Sequence, residues 1–126
     1  MSPVFVLPCM LFMHVLDDFV LQTVVLSKLK QKSWWEANAP ERGYRYDYLA
    51  ALTAHAISWS FCIMFPIAIY RGFFPRPAFY AFMAVNAAVH GLVDHLKANR
   101  KRINLIMDQS AHVYQILLTY LALVWL

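Results

Sequence analysis

Four apolar stretches, each broken by a few strongly polar residues, divide the chain. The first, residues 3–26, runs PVFVLPCMLFMHVLDDFVLQTVVL. The second, roughly 47–70, contains AALTAHAISWSFCIMFPIAIY, and two more lie at roughly 78–96 and 105–126. A helix needs about 20 mostly apolar residues to cross the bilayer's hydrocarbon. The pattern therefore predicts an all-α, polytopic membrane protein: a four-transmembrane-helix bundle forming one domain over residues 1–126. Pro8 predicts a kink near the start of the first span, and Pro66 lies near the end of the second. GFFPRP, from Gly72 to Pro77, predicts a turn between the second and third spans.

Composition supports this division. The chain of 126 residues is 61% hydrophobic and only 14% charged, against about 25% charged in soluble domains. The basic excess, a formal +4, lies between the spans, which argues for membrane loops and against nucleic acid as partner. The first connection holds Lys28, Lys30, Lys32, Arg42 and Arg45, and the third holds Lys97, Arg100, Lys101 and Arg102. The second holds only Arg71 and Arg76. The positive-inside rule then makes loops 27–46 and 97–104 cytoplasmic, in a bacterial inner membrane, with both termini outside. Trp34, Trp35, Tyr44, Tyr46 and Tyr48 are read as interfacial anchors. Cys9 and Cys62 lack metal-site spacing and read as buried thiols. The N-terminus has neither a basic leader nor a small-residue cleavage site, so it is not read as a removable signal.

The polar residues inside the spans carry the chemistry. His14 and Asp18 are four apart, with Gln22 extending the stripe. Asn86, His90 and Asp94 repeat the spacing, Asp108 and His112 reverse the order, and the second span adds His55. Residues four apart share a helix face. Measured at about 1.5 Å per residue from the nearest basic loop residue, Asp18, His55 and His112 lie about 15 Å deep. His90 and Asp108 lie about 9–10 Å deep, Asp94 about 5 Å and His14 about 21 Å. All but His14 thus fall in the cytoplasmic half of a core about 30 Å thick. Ionisable groups there are costly and mark functional sites.

His and Asp donors at one depth suit a divalent metal: zinc first, with manganese or iron as alternatives. The candidate ligands are His14, Asp18, His55, His90, Asp94, Asp108 and His112. Seven exceed one tetrahedral site, so one or two ions per chain are expected, bridged by carboxylate or water if two. Asp18, Asp94 and Asp108 are the candidate catalytic carboxylates, because Glu36 and Glu41 both lie in the first loop. Lys97, Gln22 and Gln109 are assigned to substrate, with Asn86 orienting ligands. Asp17 is left between ligand, ligand support and helix packing, and His95, about 100° from Asp94 around the helix, reads as interfacial. Interhelical hydrogen bonding is the competing reading of any single pair. HExxH, GxSxG and Gly-rich phosphate-loop motifs are absent.

HVLDDFVLQ, His55 in TAHAISW, HGLVDHLK and DQSAH together resemble a family of small bacterial and phage membrane proteins of unknown function. Its pattern runs H-x3-D-F-x-L-Q, a lone His, H-x3-D-x2-K and D-Q-x2-H. It falls on His14, Asp18, Phe19, Leu21 and Gln22; on His55; on His90, Asp94 and Lys97; and on Asp108, Gln109 and His112. Asp17 is outside it, which favours Asp18 as the ligand. That resemblance implies the constellation and no activity. A looser one, to predicted membrane-bound metal-dependent hydrolases, implies hydrolysis.

The expected function is hydrolysis of a lipid or lipid-linked phosphoester at the cytoplasmic leaflet. A metal-ion or proton conduit using the same cluster is an alternative. A second is a non-enzymatic membrane-interaction protein, such as a phage envelope-targeting product. Homo-oligomerisation is left open.

Overall fold

Pro3 opens the first helix at a position where its missing N–H costs nothing. A computed structural model describes all of residues 1–126, and the chain is helical throughout, without strands. Helix α1, Pro3–Leu16, widens into a π-helical turn over Asp17–Leu21, closed by the Gln22 N–H donating to the Asp17 carbonyl at 2.8 Å. Gln22 and Thr23 are then extended, and Thr23 Oγ1 accepts from the Leu26 N–H at 3.1 Å, capping α2, Val24–Leu29. The expected unbroken helix over 3–26 is thereby corrected: the first helical run ends at Leu21. A cap at Thr23 starts a new helix where apolarity alone predicted continuation.

The basic first connection is also not an open loop. It contains α2, α3 (Lys32–Asn38) and a single 3₁₀ turn at Arg42–Tyr44. Helix α4 spans Asp47–Tyr70, the same bounds as the second apolar stretch. Helix α5 spans Pro77–Ala98, and α6 spans Leu105–Tyr120 before a second π turn at Leu121–Trp125. Asn104 caps α6, its Oδ1 accepting from the Met107 N–H at 2.9 Å.

Two helical runs, Pro3–Leu21 and Arg42–Tyr70, are long and apolar enough to cross a membrane. Helix α5 has 22 residues but is diluted by Asn86, His90, Asp94, His95 and Lys97, and α6 has only 16 residues before its π turn.

Helix α4 packs against both α1 and α5, while α6 meets α1 and α5. Small residues let α4 and α5 approach closely: a Cβ on Gly91 would sit 3.4 Å from Ala56 Cβ. These are the residues following His90 and His55, so the close approach also brings the two rings together. Toward the N-terminal end of α1, Val6, Met10, Trp59, Ile63, Met64, Ile67, Ile116, Tyr120 and Val124 form one apolar core.

Burial is inverted elsewhere. Of 24 buried residues, eleven are polar or charged, whereas Asp and Lys are almost never fully buried in soluble proteins. Meanwhile Val4, Phe12, Phe74, Ile106 and Leu118 are each more than 60% exposed.

Candidate metal centre

The π turn sets one wall of the polar interior. It carries consecutive carboxylates, Asp17 and Asp18, both of which approach α4. His55 of α4 lies across them, its Nδ1 3.4 Å from Asp17 Oδ2 and its Nε2 3.3 Å from Asp18 Oδ1. Asp17 is itself held by α4: its Oδ1 accepts from the Ser58 hydroxyl at 2.7 Å and from the Cys62 thiol at 3.6 Å. A carboxylate at Nδ1 fixes the tautomer of a ligating histidine and raises its basicity. Asp17 Oδ2 lies opposite His55 Nδ1 without a hydrogen bond of its own, and His55 Nε2 faces the interior.

The opposite wall comes from α5 and α6. The His90 ring packs against both Trp59 and His112, with centroids 4.2 and 4.1 Å away, and those two rings are themselves 5.2 Å apart. Four residues on, Asp94 turns Oδ2 to both His55 Nε2 (3.6 Å) and His90 Nε2 (3.7 Å), and Oδ1 to His112 Nε2 (3.7 Å). His112 Nε2 also lies 3.3 Å from Asp108 Oδ1. Its Nδ1 faces Gln115 Oε1 at 3.3 Å. The Gln115 amide is oriented by donating to the Asn86 carbonyl and Asn86 Oδ1, and Asn86 donates to Thr119. The acceptor at Nδ1 puts the proton there and the Nε2 lone pair inward.

Asp17 Oδ2, Asp18 Oδ1, both ring nitrogens of His90, Asp108 Oδ1 and His112 Nε2 are sealed from solvent without hydrogen-bond partners. Leaving such groups buried and unpaired costs about 1–3 kcal/mol each. Lone pairs directed at one another are held stably by a cation. Ligands on tetrahedral zinc, at about 2.0–2.1 Å from the metal, lie about 3.3–3.4 Å apart. The contacts from 3.3 to 3.9 Å are close to that edge length.

Two sets of donor atoms lie close enough to hold an ion: Asp18, His55 and His90, and His90, Asp94 and His112. They share His90, and Asp94 touches both. Charge fits as well. Asp17, Asp18, Asp94 and Asp108 face two ammonium groups, Lys30 on Asp94 Oδ2 at 2.5 Å and Lys97 on Asp108 Oδ2 at 2.7 Å. With neutral imidazoles the formal balance is −2, which one divalent ion cancels.

The other assigned residues fall around this centre. His14 is 3.5 Å from Asp18, but its Nδ1 accepts from the Trp59 indole N–H at 2.9 Å, so it stands outside both donor sets. Gln109 Nε2 donates to Asp18 Oδ2 (3.2 Å) and Asp108 Oδ2 (3.1 Å), tying two carboxylates together. Gln22 Oε1 accepts a very short hydrogen bond from Lys30. Lys97 pairs with Asp108 and not with Asp94 on its own helix. His95 stacks on Tyr48, away from the centre.

Sequence reasoning missed Lys30, Trp59 and Gln115. Trp59 follows His55 by four and Gln115 follows His112 by three, so helical spacing was a usable signal for both. For Lys30 there was none, because Lys28, Lys30 and Lys32 read alike. No family model, curated protein or solved structure matches the chain, so the centre is read from its own geometry.

Proposed function

We propose that the chain is a four-span inner-membrane bundle and a metal-dependent hydrolase acting on a lipid or lipid-linked phosphoester at the cytoplasmic leaflet. The observation that carries the metal is the set of buried, unpartnered atoms of Asp18, His90, Asp108 and His112, from the π turn, α5 and α6, with His55 of α4 completing one donor set. The inverted burial supports the membrane: exposed Val, Phe, Ile and Leu side chains suit lipid, and a polar interior suits a site shielded from it.

A divalent ion held there would polarise a phosphoryl oxygen and supply hydroxide near neutral pH. The chain's own residues do the rest. Asp18, Asp94 and Asp108 are the candidate proton acceptors. Water oxygen bonds to phosphorus, the bond to the leaving alcohol breaks, and the water's proton passes by way of a carboxylate to the leaving oxygen. Gln109 holds two of the carboxylates in register, and Trp59 and the apolar core keep bulk water from the far side. That same core opposes a conduit, because Val6, Met10, Ile63, Met64 and Ile116 close the interior completely.

The test is metal analysis of protein purified from metal-replete medium, together with phosphate release from lipid phosphoesters. About one zinc per chain is expected from the charge balance, with activity lost in His90→Ala and Asp108→Ala. Folded wild-type protein that holds no metal would overturn the reading.

A further inference from the structure

The polar interior opens to a cleft between the short α2–α3 connection and the α5–α6 turn. The opening is a cleft of about 280 Å³ lined by Gln22, Ser27, Lys30, Gln31, Lys97 and Lys101, with Asp94 at its floor. A second cavity, of about 190 Å³, shares Gln22, Lys30, Asp94 and Lys97 and continues to Asp18, Asp108 and Gln109. Three ammonium groups therefore surround this approach to the candidate metal centre.

Two features show that this cleft is built and not incidental. Asn99 clamps its two sides together: its Oδ1 accepts from the Lys32 N–H at 2.7 Å, and its Nδ2 donates to the Lys30 carbonyl at 3.0 Å. That fixes Lys30, itself buried, across from Lys97 and Lys101. The second feature is Lys101, whose φ of +51° is left-handed. Two residues past the C-cap of α5, a side chain in this backbone region is strained by about 1–2 kcal/mol. Here the strain is kept and an ammonium lines the cleft. Lys30 and Lys97 each answer a carboxylate of the centre, while Lys101 pairs with none.

We propose that Lys30, Lys97 and Lys101, with Gln22 and Gln31, form a phosphate-binding subsite at the mouth of the metal centre. The inference rests on the phosphoester reading above and names its recognition element. Three ammoniums and two amides offer donors from several directions, which suits the spread oxygens of a phosphate group better than a flat carboxylate. The phosphate can arrive on a lipid headgroup or as a soluble species.

The discriminating variant is Lys101→Gly, which relieves the backbone strain while removing the charge. Full-length protein in phosphatidylcholine nanodiscs is titrated with inorganic phosphate by calorimetry, with metal content and melting midpoint measured on the same samples. The variant is expected to melt at or above the wild-type midpoint, keep its metal and bind phosphate about tenfold more weakly, as for a lost charged hydrogen bond. Lys97→Gln should weaken binding in the same direction. Unchanged phosphate affinity in Lys101→Gly, with metal bound, would overturn the subsite alone. Weakened phosphate binding in a protein that never held metal would overturn the metal reading and leave the subsite standing. Nanodiscs containing phosphatidic acid separate the two sources. If they suppress the phosphate titration in wild type, the occupant is a lipid phosphate; an unaltered titration assigns the subsite to soluble phosphate.

Discussion

Asp17→Asn separates support of a metal ligand from simple packing. Asp17 is only 1% exposed; one oxygen is fixed by Ser58 and Cys62, and the other faces His55 Nδ1 at 3.4 Å. An asparagine can turn its NH₂ on that N–H, driving the proton to Nε2 and removing the lone pair that faces Asp18. Alternatively it keeps an oxygen there, but as a neutral acceptor that makes the ring a weaker base. Loss of such a partner lowers metal affinity by about 10–100-fold, equivalent to about 1.4–2.7 kcal/mol. Metal-free stability moves the other way or stays level, because the substitution removes a buried charge that is only partly compensated. Zinc affinity by competition with a chromophoric chelator and the melting midpoint of the apoprotein together read both effects. Wild-type affinity in the variant would refute the reasoning. So would an affinity loss matched by collapse of the apoprotein midpoint, since that is the signature of packing.

Two further outcomes follow from the same geometry. Zinc at 100 times its dissociation constant should stabilise the fold by about 2.7 kcal/mol, read as a raised melting midpoint that chelator reverses. His112→Ala should abolish that rise, and an undiminished rise would remove His112 from the centre. In a Cys9→Ser, Cys62→Ser background, Arg100→Cys should resist a membrane-impermeant maleimide in intact cells and label in inverted vesicles. Leu126→Cys should do the reverse, and labelling of both from one side would contradict the four-span topology.

The helical architecture was legible because hydrophobic runs and polar connections alternate cleanly; α4 even begins at Asp47, where its apolar stretch begins. The end of the first helix was not, since a π turn leaves no compositional mark and Thr23 is inconspicuous among valines. Asp17 could not be placed from spacing: it points about 100° from Asp18 on an α-helix, yet both reach His55 because they approach opposite ring nitrogens. His14 had the right spacing from Asp18, yet a neighbouring helix supplies Trp59, whose indole occupies Nδ1. The depth of each side chain can be counted along the chain, but which ring a donor reaches depends on how the helices turn about their own axes. Lys30 is the strongest case. It is turned inward by Asn99, 69 residues away, and no local pattern marks which of three alternating lysines is chosen.

The asymmetry of the interior narrows the function further. At one end Val6, Met10, Ile63, Met64, Ile67 and Ile116 are essentially without exposure; at the other, lysines and amides line an open cleft. A carrier that passed an ion across the membrane would need a polar path beyond His14 and Trp59, and there the core around Val6 and Ile116 is packed, with Ser60, Asn86 and Thr119 as its buried polar groups. A catalyst needs the opposite arrangement. A closed, dry back strengthens each electrostatic contact at the reacting centre, while one basic mouth admits substrate and releases product. Buried carboxylates are costly in both designs. In the second, Lys97, Gln109 and Asp17 share a purpose: each meets one side of a ligand-bearing group and leaves the other side toward the interior, while Lys30 neutralises Asp94 at the oxygen that also faces His55 and His90.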